Sequence, residues 1–293
     1  MQWVEPDQIQ KILSVPHFKD SHYAKWNINR LLGTHIVCFV DQIMKYDKAA
    51  KIDTIVDVGT GYGWLAIACA LRTAAKIIAI DVNPERLAAA IEISAVFGVS
   101  ERIDWRVGSI GELPLDNQQA DVTFCIEVIE HVGLDCRFVY DLGRITKDFL
   151  VITTPNQIFP VIGHDTSLPF CHWLPLRARD YYAALFGRRS MQDNNLFWSP
   201  SRLLSALNDF ERKSDFLQFP TYSDFVSAEN LLDPDSSETG AKLRRAKNAY
   251  YRLASLAGRN SIYVLPNLAS TFRRRMKPAY PGRASDTRVS QRL

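Results

Sequence analysis

The sequence predicts an α/β protein built on a doubly wound, mostly parallel sheet with helices on both faces. Two observations carry that prediction. From residue 54 to residue 153, short apolar runs of strand length alternate with segments of helical length. The first of these units is also unusually explicit. Ile55-Val56-Asp57-Val58 reads as a buried strand, Gly59-Thr60-Gly61-Tyr62-Gly63 as a turn, 64–71 as a helix, and 76–80 as a second strand closing on Asp81. Parallel strands joined this way take right-handed crossovers and bind ligands at their carboxyl ends. Gly59, Asp81, Ser109 and Glu127 all fall at such ends.

The first turn indicates the ligand. Glycines allow a sharp turn and let a ligand approach backbone without meeting a Cβ. Asp81 is placed to accept hydrogen bonds from both hydroxyls of a ribose. The spacing is Gly-x-Gly-x-Gly rather than the Gly-x-Gly-x-x-Gly of nicotinamide sites. Asp57, two residues before the first glycine, would repel a pyrophosphate. It suits a ligand carrying an ammonium and a sulfonium.

VDVGTGYG followed by AIDVNPERL resembles the class I S-adenosylmethionine-dependent methyltransferases. The resemblance implies a Rossmann-like sheet of seven strands, the final one antiparallel, with S-adenosyl-L-methionine as cofactor. Asp57, Gly59, Thr60, Gly61 and Gly63 would then cradle the cofactor, with Asp81 and Val82 at its ribose. The turn Gly108-Ser109-Ile110 would meet adenine. Family members often carry an aspartate where this chain has Ser109, so the Ser109 hydroxyl or the Ile110 backbone would take the exocyclic amine.

Composition sets the frame. The chain has 293 residues, 47% of them hydrophobic, enough for one large domain with appendages or two small ones. The net charge of +3 does not mark the whole protein as a nucleic-acid binder. No charged-then-apolar N-terminal pattern occurs, and Arg72 and Lys76 interrupt the most apolar region. The expectation is a soluble, cytoplasmic protein. Cys38, Cys69, Cys125, Cys136 and Cys171 are scattered and include no Cys-x-x-Cys pair, which fits buried thiols rather than a disulfide frame or zinc site.

In chain order, residues 1–50 read as a helical cap, with a first helix after Asp7 and a second over 26–46. In the family such a segment closes over the cofactor and shapes the acceptor pocket; plain packing against the sheet is the other reading. Asn83-Pro84-Glu85 starts a helix over 84–97, ended by Gly98. Strands follow at 103–107, 121–126 and 149–153, with a helix over 134–147 between the last two. The methyltransferase domain spans 51–273 and holds two insertions. The first, 155–198, is rich in proline, aromatic residues and histidine, with Arg177, Arg179, Arg188 and Arg189, and would line an acceptor pocket. After it come a helix from Ser199 and a sixth strand over 210–219. The second insertion, 223–260, carries a basic helix over 241–256, a candidate for peripheral membrane contact. The final strand is expected over 261–273, and the basic tail 274–293 is expected to be disordered.

Glu127-Val128-Ile129-Glu130-His131 ends the fourth strand. Carboxylates and imidazole together suit Mg²⁺ or Mn²⁺. The pattern resembles ubiquinone-biosynthesis O-methyltransferases, and also small-RNA 2′-O-methyltransferases in which two glutamates and two histidines hold a divalent ion. By that likeness Glu127, Glu130, His131 and His164 would be ligands, and His172 is a further candidate. Two other readings stay open: His131 or His164 as a metal-free general base, and a structural histidine beside a glutamate that faces the cofactor. The resemblance favours methylation of a hydroxyl on a small molecule, lipid-linked compound or glycan, with RNA 2′-O-methylation as the alternative.

Overall fold

Parallel strands buried on both faces need apolar side chains at successive positions, and the chain supplies them. In the computed structural model, which describes residues 1–48, 51–163, 165–189, 196–232 and 238–275, seven strands form one sheet. They are β1 (Thr54–Val58), β2 (Lys76–Asp81), β3 (Ile103–Val107), β4 (Ala120–Ile126), β5 (Thr146–Thr153), β6 (Phe210–Arg212) and β7 (Ser270–Arg274). Their spatial order is β3-β2-β1-β4-β5-β7-β6. The first five pair in parallel, while β7 runs antiparallel to both β5 and β6.

Alternate residues of each central strand feed two separate cores. Ile55, Ile77, Val122, Phe124 and Phe149 face one, and Val56, Ile78, Ile80, Cys125 and Leu150 the other. The first core is covered by α4 (Trp64–Arg72) and α5 (Pro84–Val96), with the N-terminal elements outside them. The second is covered by α7 (Cys136–Ile145) and α9 (Pro200–Ala206). Helices therefore lie on both faces, as the alternation predicts. Asn83 caps α5, its side-chain oxygen accepting from the Glu85 and Arg86 N–H groups at 2.9 and 3.0 Å.

The N-terminal cap comprises α1 (Pro6–Ser14), a 3₁₀ turn at His22–Lys25, α2 (Ile28–His35) and α3 (Asp41–Tyr46). A π turn over Ile36–Val40 joins α2 to α3, so the 26–46 helix is one rod with a local widening. Two strand expectations are corrected. The sixth strand stops at Arg212, because Phe216 and Phe219 close a small bridge of their own and bury their rings with Phe225. The last strand begins only at Ser270, because 258–263 turns into a 3₁₀ helix and the Ile262 carbonyl within it and the Leu265 carbonyl after it accept from the Asn156 amide. Arg274 belongs to β7, and residues 276–293 lie outside the described residues. The insertions contain α8 (Leu176–Leu185), α10 (Tyr222–Leu232) and α11 (Glu238–Ser255). No described helix is long and apolar enough to cross a membrane. The five cysteines are free thiols.

Candidate cofactor and acceptor site

Gly59, Gly61 and Gly63 all sit at positive φ (75°, 56° and 78°), the left-handed region open to glycine. Their surroundings differ. A Cβ on Gly59 would meet Val128 at 2.3 Å, and one on Gly63 would meet Trp105 at 2.7 Å, whereas one on Gly61 meets nothing within 4 Å. Gly59 and Gly63 are thus packing glycines, and Gly61 presents bare backbone to open space at the mouth of the sheet.

Two carboxylates organise this turn. Asp57 on β1 is only 3% exposed; its Oδ2 accepts from the Thr60 hydroxyl at 2.6 Å. Burial pushes its pKa up to about 7, with the nearby Asp81 adding to the rise. Asp57 therefore lies beneath the turn, not on its open surface. Asp81, at the end of β2, accepts the Gly61 N–H on Oδ2 at 2.8 Å and the Asn83 N–H on Oδ1 at 2.9 Å. It bolts the turn after β1 to the turn after β2. A carboxylate has about four acceptor positions, so two remain for a ribose diol.

Val82, next to Asp81, is exposed. Beyond β3, Ser109 is exposed and Ile110 buried, and Asp141 of α7 accepts the Gly111 and Leu113 N–H groups at 2.9 and 2.8 Å. That contact sets the path of the turn after β3.

The Glu-x-x-Glu-His segment splits. Glu127 sits at the end of β4 with φ 55°, a conformation uncommon outside glycine. Glu130, in the short helix α6 (Ile129–Val132), is fully buried. Its Oε2 accepts from the Thr154 hydroxyl at 2.9 Å, while Oε1 is buried without a partner. Burial, reinforced by the adjacent Glu127, pushes the Glu130 pKa up to about 8. His131 is exposed. Among the described residues no three His, Cys, Asp or Glu side chains form a metal-holding group. A sequestered, protonated Glu130 beside an exposed His131 is a poor donor set for Mg²⁺ or Mn²⁺, which need accessible ionised oxygens. His164 lies outside the described residues. His172 is buried, with Nε2 2.9 Å from the Gln157 carbonyl, which also accepts from the Trp173 indole. It holds the insertion together.

Sequence reasoning missed the contacts between the N-terminal segment and the glycine turn. Tyr62, inside the glycine turn, packs edge-on against Phe18 and Tyr23 with ring centroids 5.1 and 5.6 Å apart, and its hydroxyl donates to the His17 carbonyl at 3.3 Å. The half-buried Tyr23 packs on this ring, so the N-terminal segment covers the glycine turn. A tyrosine between two turn glycines was the available signal.

A seven-stranded sheet of this order, with an acid-bolted glycine turn at its first crossover, defines a class I, Rossmann-like nucleotide-binding architecture. The comparisons narrow it. Residues 55–148 match the model of the methyltransferase domain family. A probable S-adenosylmethionine-dependent methyltransferase of Mycobacterium tuberculosis is 31% identical over 147 residues, covering 48% of this chain and 50% of that protein. Norajmaline N-methyltransferase of Rauvolfia serpentina is 25% identical over 136 residues, covering 44% of this chain and 47% of its own. The chain spans about half the length of the curated relatives it matches. A solved geranyl diphosphate methyltransferase, in complex with GPP and sinefungin, shares the fold: TM-score 0.50 at 14% identity, over 87% of this chain and 82% of that one. The match to the methyltransferase domain family is thus confined to residues 55–148, and both of these curated relatives are named as methyltransferases.

Proposed function

We propose that this protein transfers the methyl group of S-adenosyl-L-methionine to a hydroxyl of a small-molecule, lipid-linked or glycan acceptor. The observation that supports it most is Asp81. It stiffens the turn that bares Gly61 and keeps acceptor positions for a ribose. When bound, the cofactor would supply an electrophilic methyl carried on its sulfonium sulfur, with S-adenosylhomocysteine leaving as the neutral thioether. The chain's own residues do the rest. Gly61 leaves room for close approach, Thr60 holds Asp57 beneath the turn, and Gly59 and Gly63 set its shape. Ser109 and the Ile110 backbone receive adenine, and Val82 covers the ribose edge. Tyr23 and Tyr62 cover the strand ends and exclude water, and Glu127 faces the methionine end. In-line displacement requires the acceptor held about 3 Å from the methyl. His131, exposed on α6, takes the acceptor's hydroxyl proton on an imidazole nitrogen.

No observation favours the metal-dependent RNA reading over this one, and no step here requires a metal. Purified protein, incubated with cofactor and fractionated extract, should add one CH₂ unit to a single component in the mass spectrum. The extract should contain amines as well as alcohols, since one relative is named for an N-methylation. S-adenosylmethionine binding without any methylated product would refute the transfer. Full turnover in excess EDTA is expected; loss on chelation with recovery in Mg²⁺ would reinstate the metal.

A further inference from the structure

A helix in a folded domain ordinarily buries one face. The helix α8 buries only a narrow strip, Ala183 with the half-buried Arg179 and Tyr182. Of its ten residues only Ala183 is buried. Tyr181, Leu185 and Phe186 are 70%, 63% and 60% exposed, and Leu176 is exposed at its start. The 3₁₀ turn before it adds the exposed Phe170 and Trp173, their rings 5.0 Å apart. These six side chains present on the order of 600 Å² of apolar surface, at the upper end of what a monomer shows.

Charge identifies the occupant. Between residues 167 and 189 there are four arginines and one aspartate, a net charge of +3. Arg177, Arg188 and Arg189 are exposed among the apolar groups. Aromatic rings and leucines interleaved with arginine match the boundary of an anionic bilayer, where rings sit at headgroup depth and guanidinium groups meet phosphates.

We propose that the segment from Phe170 to Arg189 is a docking surface for an anionic lipid bilayer. The surface is tied to the site described above. Arg179 donates to the His172 carbonyl at 2.8 Å, which fixes α8 to the turn before it. That turn is joined onward to the strand ends: His172 Nε2 lies 2.9 Å from the Gln157 carbonyl, the Gln157 N–H donates to the Trp198 carbonyl at 3.0 Å, and the Trp198 indole donates to the Ile129 carbonyl at 3.4 Å. Docking there brings the mouth of the strands to the membrane surface, where an amphiphilic acceptor would be reached without leaving the lipid.

The inference does not rest on methyl transfer, because vesicle association is read without cofactor or acceptor. The full chain is floated with phosphatidylcholine vesicles, with and without phosphatidylglycerol, at low and high salt. Association with the anionic vesicles, weakened by salt, is expected. R188Q/R189Q should lose roughly twentyfold in vesicle affinity, about a fivefold loss per basic residue near an anionic surface. L185E/F186E should abolish association while its circular dichroism and urea midpoint stay at the wild-type values. No association at low salt, equal association with neutral vesicles, or association that survives L185E/F186E would overturn the proposal. So would a self-association in sedimentation velocity that L185E/F186E removes, which would assign the surface to a second copy of the chain.

Discussion

Asp57→Asn tests the electrostatics of the first crossover. The Asp57 pKa rises from 3.8 to about 7 on burial. At 1.36 kcal/mol per unit, three units amount to about 4 kcal/mol. The sign follows from proton counting. Between those two values the folded state binds the proton that the unfolded state has released, so stability is highest at low pH and falls as pH rises through about 7. About 3 kcal/mol of that loss lies between about pH 5 and about pH 8. Asparagine keeps an oxygen for the Thr60 hydroxyl and never ionises. In urea unfolding, the variant should gain on the wild type across that range, by about 3 kcal/mol at its upper end. A difference between the two proteins that stays flat with pH would refute the reasoning. The ligand supplies the converse. A cation held near Asp57 favours the carboxylate, so S-adenosylmethionine should bind the wild type more tightly as pH rises through 7, with proton release visible in calorimetry as a buffer-dependent heat. Asp57→Asn should remove that dependence.

Three further expectations follow from the same turn and its neighbours. Asp81→Ala should weaken S-adenosylmethionine binding by roughly 1.5–3 kcal/mol, the scale of hydrogen bonds to a charged group, and unchanged affinity in calorimetry would exclude the ribose role. Gly59→Ala and Gly61→Ala share the left-handed penalty of about 1–2 kcal/mol, but only the first adds an overpacking cost of about 1–3 kcal/mol against Val128. Urea unfolding should rank Gly59→Ala lower, while Gly61→Ala should lose more cofactor affinity than its stability suggests. Glu127→Gly should relieve the left-handed backbone, with stability level or raised by up to about 1 kcal/mol, yet transfer should be lost; wild-type turnover in that variant would remove Glu127 from the site.

What could be read in the sequence was local. The strand, glycine turn, helix and Asp81 lie within 28 residues and each enforces the next, so the first crossover was legible almost to the residue. The two cores were legible from apolar runs on adjacent strands. The burial of Asp57 was not, because an acid before a turn reads the same whether it faces ligand or packs beneath the backbone. The packing of the N-terminal segment on the glycine turn was hidden because Tyr62 meets Phe18 and Tyr23 across some forty residues of chain. The ends of β6 and β7 escaped because apolar and polar residues mix over 210–219 and 261–273 in a way that reads as continuous strand. The break before β7 is set in part by a distant partner, the Asn156 amide, which the local sequence does not show. Glu130 and His131 are adjacent in sequence yet one is sealed and the other open, a distinction a linear motif does not contain.

The position of β7 between β5 and β6 has a consequence for synthesis. Its residues leave the ribosome after every other strand, yet it fills an interior slot. Until it arrives, β5 has a bare edge and β6 has no neighbour to bond to. A nascent chain halted before Ser270 should be cut readily by protease across 199–232 and should recruit chaperones. Release of five more residues should close the sheet like a keystone and end that vulnerability in a single step.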